Sequence, residues 1–154
     1  MITIGLASDH AGFELKEFVK NYLEQAGFIF EDFGTFSTES CDYSDYAHPL
    51  AMAVEAGQIG EVGKNRGVDL GIAMCGSGNG IAMTLNKHQR IRAALCWNVE
   101  IVQLARAHNN ANILVLPARF INKKEVEEMI RVFLSTPFEG DRHQQRIDKI
   151  PIIK

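Results

Sequence analysis

Short apolar runs alternate with amphipathic stretches along the whole chain, and this alternation restricts the possible folds more than any other feature. "ITIGLA" (2–7) reads as a buried strand. Leu15, Phe18, Val19, Tyr22, Leu23 and Ala26 then fall at helical spacing, ending at Gly27. "FIFEDF" (28–33) is a second strand, and Ala47, Leu50, Ala51 and Val54 mark a helix ending at Gly57. "VDLGIAM" (68–74) predicts a third strand with a helix over about 79–88 after it, and "IRAALCW" (91–97) a fourth strand. Trp97, Ile101, Leu104, Ala105 and His108 share one face of a helix capped by Asn98. "NILVLP" (112–117) is a fifth strand. A helix with a capping-box-like start at Asn122 and Glu125 follows it, with Val126, Met129, Ile130, Phe133 and Leu134 inward. Pro137 ends that helix, and "EGDRHQQRIDKI" reads as a last short one. Five strand–helix alternations predict an α/β fold, a parallel sheet covered by helices on both faces.

A length of 154 residues is expected to form one domain, 1–154, with a core that needs no disulfide or metal. The net charge of −3 and pI of about 5.9 leave no basic footprint for nucleic acid. No window approaches the ~18 apolar residues of a membrane span. The first residues, "MITIGLA", lack the basic n-region and long apolar run of a secretion signal. Cys41, Cys75 and Cys96 are odd in number and form no CxxC pair, so reduced thiols in a cytoplasm are expected.

In parallel sheets ligands bind beyond the carboxyl ends of the strands. That rule gathers Ser8, Asp9 and His10, the stretch Cys75–Gly80, and Asn98 along one rim. "CGSGNG" (75–80) carries glycines at 76, 78 and 80, which bare the backbone N–H groups to an anion. Ile81 stands where a dinucleotide loop needs glycine and where a cysteine phosphatase needs arginine, so both chemistries are disfavoured. The loop also fits a plain strand-to-helix turn. Cys41 and Cys96 read as small buried hydrophobes. Cys75, between a strand end and a helix start, is placed as either a nucleophile or a general base. His108 lies on an apolar helix face in "AHNNAN", which favours a core histidine. Asp9 or Ser8 serves as well to cap a helix. Arg142 and Arg146, at i and i+4, form either a solvated face or a phosphate clamp. No two histidines share a ligand spacing and no carboxylates cluster near them, so no metal site is expected.

"SDHAGF", "DFGT", "CDYSDY", "GIAMCGSGNGIAM", "NK", "IRAALC", "HNNANILVL" and "EGDRHQQR" follow in the order found in the type B ribose-5-phosphate isomerases. The chain resembles that family, which includes galactose-6-phosphate isomerase subunits, from Ile2 to about Ile150. The resemblance implies a Rossmann-like three-layer α/β/α sandwich with a five-stranded parallel sheet, acting as a homodimer or homotetramer without metal or other cofactor. It implies aldose–ketose isomerisation of a sugar phosphate through a cis-enediolate. Cys75 matches the general base, Ser77 a hydroxyl that assists proton transfer between oxygens, and the N–H groups of Gly76, Ser77, Gly78, Asn79 and Gly80 an anion hole. His108 matches the ring-opening residue, helped by Asp9 and Asn109. His10, Arg119, Arg142 and Arg146 match phosphate ligands, Arg119 reaching across the dimer in some relatives, and Tyr43 lines the sugar pocket.

Two features depart from the pattern. Asn110 stands where many relatives carry aspartate, and the loop over 57–67 is longer than usual, with Lys64 and Arg66 in it. Ribose 5-phosphate leads as substrate, a six-carbon sugar phosphate follows, and a non-catalytic phosphosugar-binding protein is the alternative from another class.

Overall fold

The computed structural model describes residues 2–59 and 67–152, so residues 60–66 of the 57–67 loop lie outside the described residues. The five strands are β1 (Thr3–Ser8), β2 (Ile29–Asp32), β3 (Leu70–Cys75), β4 (Ala93–Leu95) and β5 (Ile113–Pro117). The helices are α1 (Phe13–Gln25), α2 (Tyr43–Ile59), α3 (Asn79–Leu85), α4 (Val99–Asn109), α5 (Lys123–Ser135) and α6 (Arg142–Ile147). All strand pairs are parallel, in the order β2-β1-β3-β5-β4.

The three central strands are nearly continuous apolar runs because both of their faces are covered. On one face Leu15, Val19, Val102, Met129 and Phe133, from α1, α4 and α5, pack on Ile4, Leu6, Ile72 and Leu114. On the other, Leu50, Val54, Ile81 and Leu85, from α2 and α3, pack on Ala7, Ala73 and Val115. The three-layer expectation holds. Among the described residues no helix is long and apolar enough to cross a membrane.

Four local expectations change. The fourth strand is only Ala93–Leu95, because at this sheet edge the side chains of Asn112 and Asn86 take the N–H groups of Arg92 and Ala93. Helix α2 continues past Gly57 to Ile59. Gly57 is there for close approach, since a Cβ on it would sit 2.0 Å from the Val68 carbonyl oxygen. Asn98 caps α4 as expected, its Oδ1 accepting from Ile101 N–H, but the buried face is Val102, Ala105 and Ala107. Trp97 stays 55% and Leu104 39% exposed, so part of the apolar stripe on α4 has no cover within one chain. Asn122 caps α5 through Lys124 N–H, with no return bond from Glu125 among the described residues.

Candidate active site

The chain leaves β1 toward one edge of the sheet, through β2, and leaves β3 toward the other, through β4 and β5. The topological switch point therefore falls between the carboxyl ends of β1 and β3, where Ser8 pairs with Met74. Asp9 and His10 follow β1 there, and Cys75 closes β3.

Asp9 is buried and fixed at both ends. Its N–H donates to the Met74 carbonyl at 3.3 Å, and its Oδ1 accepts from Gly12 N–H at 3.0 Å. Asp9 thus closes the turn before α1, but the N-cap of that helix is Gly12 with no side-chain cap bond, so neither Ser8 nor Asp9 caps it as expected, and the buried Ser8 Oγ has no partner among the described residues. His10 Nδ1 lies 3.2 Å from Cys41 N and 3.3 Å from the Cys41 carbonyl oxygen, so the backbone of Cys41 anchors the ring in either neutral tautomer.

Cys75 is 4% exposed. The loop after it divides its glycines by task. Gly78 has φ +77°, and a Cβ there would lie 2.4 Å from Leu95 Cδ1, so the fold itself demands glycine. Gly80 is bare because the Tyr43 ring lies over it, 2.4 Å from where a Cβ would stand. Gly76 has no such requirement: its Cβ would meet nothing nearer than Ala11 and Arg119 side-chain atoms at 3.5 Å. Among the described residues nothing accepts from the N–H groups of Gly76, Ser77 or Gly78. Ser77 is exposed, with its Oγ 3.3 Å from Asn79 Nδ2. Arg119 N–H donates to the Gly76 carbonyl, which sets its side chain beside the loop of its own chain.

His108, Asn109, Arg142 and Arg146 are elsewhere. Helix α4 starts at the carboxyl end of the sheet and runs back, so His108 and Asn109 emerge at the amino end, where Arg92 Nε donates to the Asn109 and Asn110 carbonyls. The length of β5 separates the two groups, roughly 15 Å at ~3.3 Å per residue. Within one chain Asp9 and His108 therefore stand at opposite ends of the sheet. Asn110 has φ +45° and caps α4 in the left-handed region, a place that suits asparagine.

His108 is no satisfied core residue. It is half-buried and stacks on His143 with ring centroids 4.3 Å apart and an interplanar angle of 8°. His143 Nε2 lies 3.4 Å and His108 Nε2 3.7 Å from Glu139 Oε2. Burial, then repulsion from His108 and Arg142, holds the His143 pKa below its ordinary value. Sequence reading missed this cluster, because the Glu139–His143 spacing of four pairs with His108 only through the docking of α6 on α4. Arg142 and Arg146 are exposed on α6.

A second missed group braces the switch point. Lys16 is fully buried on the face of α1 that carries Val19 and Leu23, and its Nζ donates to Asp32 Oδ1 and to the Thr35 carbonyl. Asp32 Oδ1 also accepts from Gly34 N–H, and Lys20 stands 3.1 Å from Oδ2. Residues 34 and 35 in turn exchange backbone bonds with Ser8. Burial lowers the Lys16 pKa against the pull of Asp32. For Asp32, burial raises the pKa, but Lys16, Gly34 N–H and Lys20 together hold it below the usual carboxylate range. Burial pushes the Cys96 thiol up to about 12, which fits an inert core residue.

The fold defines a doubly wound α/β protein whose switch point gathers Asp9, His10 and Cys75. The family model described as Ribose/Galactose Isomerase matches residues 4–150. The ribose-5-phosphate isomerase B of Escherichia coli is 36% identical over 154 residues, covering 100% of this chain and 97% of that protein. A ribose 5-phosphate isomerase structure from Thermotoga maritima is 47% identical, with TM-score 0.91 and 99% of each chain covered. A ribose-5-phosphate isomerase B structure from Mycoplasma genitalium with bound ribulose-5-phosphate is 39% identical, with TM-score 0.85, covering 97% of this chain and 93% of that one. The chain belongs to the ribose/galactose isomerase family, the family of the type B ribose-5-phosphate isomerases, and it is a sugar-phosphate isomerase.

Proposed function

We propose that the chain interconverts ribose 5-phosphate and ribulose 5-phosphate in a cytoplasm, one catalytic domain per chain, with Cys75 as the general base. The observation that carries this reading is a buried thiol at the switch point beside three backbone N–H groups that nothing in the described chain uses. His108 opens the furanose by moving the proton between the ring oxygen and the C1 hydroxyl. Cys75 Sγ, as thiolate, then removes the proton from C2 of the open aldose, and the electron pair moves through C1=C2 onto O1. The resulting enediolate sits against Gly76, Ser77 and Gly78 N–H. Preorganised donors of this kind are worth ~10²–10³ in rate each. Ser77 passes the O2 proton to O1, and Cys75 returns its proton to C1, which leaves the ketone at C2. A positioned base contributes ~10²–10⁴. Asp9 fixes the floor of the site, Tyr43 and Asn79 line it, and Asn109 supports His108. His10, Arg119, Arg142 and Arg146 hold the phosphate, whose binding energy aligns the reacting carbons.

One chain holds Cys75 and His108 at opposite ends of its sheet, so the proposed site needs two chains. His108, Asn109, Arg142 and Arg146 of one copy complete the Cys75 rim of the other in a homodimer, which a homotetramer would contain twice. The uncovered Trp97 and Leu104 on and before α4, and Phe120 beside Arg119, supply apolar surface for such a contact. Mixing inactive Cys75→Ala and His108→Asn chains under exchange tests this arrangement. Half of the resulting dimers carry both chains, and each of those has one intact site, so about a quarter of wild-type activity returns. No recovery from chains shown to exchange would mean that each site lies within one chain.

A further inference from the structure

We propose that His108, Glu139 and His143 form a binding site for a borderline divalent cation of the Zn²⁺ class, and that the bound ion inhibits the enzyme by occupying the ring-opening nitrogen. The inhibitory half rests on the role of His108 proposed above; the binding half stands on geometry alone. The three donor atoms lie within 4.8 Å of one another. Two of the separations, 3.4 and 3.7 Å, slightly exceed the ~3.3 Å between ligand atoms of a tetrahedral ion with bonds near 2.0 Å. His143 is 6% exposed and its Nε2 is buried without a hydrogen-bond partner among the described residues, so a polar atom facing Glu139 is left unsatisfied there. Buried polar atoms are nearly always paired, and an ion would complete this one.

The donor set is two imidazoles and one carboxylate, which leaves a fourth position for water or a phosphate oxygen. That set favours Zn²⁺, Co²⁺ or Ni²⁺ over Mg²⁺ or Ca²⁺, which prefer oxygen ligands. The stacked rings direct their lone pairs side by side, so one ring must turn for both to meet the ion. His108 is the one able to do so: it is half-buried, and histidine χ2 is a broad torsion that rotates without leaving a rotamer well. Glu139 is held from behind, its backbone N–H donating to the Ala107 carbonyl on α4, so the carboxylate and His108 belong to one anchored corner. Arg142 and Arg146 flank the site, and their charge opposes a cation, so binding is weaker than in a dedicated metal enzyme.

Co²⁺ titration of the metal-free, reduced full-length protein tests the site by visible spectroscopy. The site predicts tetrahedral d–d bands saturating at one ion per chain, without the near-ultraviolet charge-transfer band of a thiolate ligand. Glu139→Gln and His143→Gln each weaken binding by ~100-fold or more, since even outer-shell changes cost 10–100-fold. Zn²⁺ should inhibit turnover of ribose 5-phosphate, reversibly with chelator, and Glu139→Gln should keep turnover while losing the inhibition. A charge-transfer band would put the ion on Cys41 or Cys75 and overturn the proposal, as would no saturable band or unchanged binding in both variants. Turnover that Zn²⁺ leaves unchanged, with the cobalt site filled, would overturn the inhibitory half. A wild type inactive on ribose 5-phosphate would count against the proposed function instead, and the cobalt spectrum would still test the site on its own.

Discussion

A methyl group added at Gly76 would touch Ala11 and Arg119 at ordinary van der Waals distance, whereas one at Gly78 would clash with Leu95 in a backbone conformation that L side chains avoid. The two residues look alike in "CGSG", yet the fold needs only the second. Gly76→Ala should therefore leave thermal stability unchanged or raise it by ~0.4–1 kcal/mol through the unfolded chain. On the proposed mechanism the same methyl stands beside the N–H groups that would hold the enediolate, so kcat should fall by roughly 10²-fold, the scale of one lost oxyanion donor. Gly78→Ala should instead lose stability by ~1–2 kcal/mol from its left-handed backbone alone. Thermal denaturation read beside kcat separates the two, and equal losses of stability would contradict the division of roles. The loop was legible in sequence as a glycine-rich strand-to-helix turn. The separate reasons for its glycines were not, because φ at 78 and the ring over Gly80 depend on Leu95 and Tyr43, both remote in the chain.

Among the elements, β1, β3, β5, α1 and α5 follow directly from their apolar spacing. The misreadings share a cause: a partner outside the local window. Strand β4 is short because asparagine side chains replace its ladder, and the inward face of α4 is shifted because Trp97 and Leu104 find no cover in one chain. Lys16 escaped notice because a lysine at a core position of α1 makes sense only with Asp32 opposite it. Removing that anion leaves a fully buried ammonium uncompensated, and Asp32→Asn should cost ~3–5 kcal/mol at neutral pH. The sign with pH follows from the depressed Asp32 pKa. A carboxyl more acidic in the folded than the unfolded chain stabilises the fold above the unfolded value near ~3.9, and this contribution drains away as pH falls through the lower folded value. Denaturant melts at a series of pH values should show the wild-type advantage over Asp32→Asn closing only below about pH 4. A gap independent of pH down to about 2 would contradict it.

Seen as a whole, the molecule splits its candidate groups between the two ends of one sheet: Asp9, His10, Tyr43, Cys75 and Arg119 over the switch point, and His108, Asn109, Arg142 and Arg146 at the amino end. The rim of Asp9, His10 and Cys75 was legible because strand ends can be read from sequence and ligands bind at carboxyl ends. The split between the two ends follows from the direction of α4, which local motifs do not carry, and the meeting of His108 with His143 has no periodic signature at all. The central claim is that Cys75 moves a proton between C1 and C2 of a phosphorylated aldose. Turnover of ribose 5-phosphate in D₂O with a chelator present, followed by NMR, tests it most directly. The expected product is ribulose 5-phosphate bearing deuterium at C1, with turnover reduced by ~10²–10⁴ in Cys75→Ser. Undiminished turnover and deuterium incorporation in a folded Cys75→Ser variant would remove Cys75 as the base. A wild type that ignores ribose 5-phosphate but converts allose or galactose 6-phosphate would contradict the five-carbon assignment.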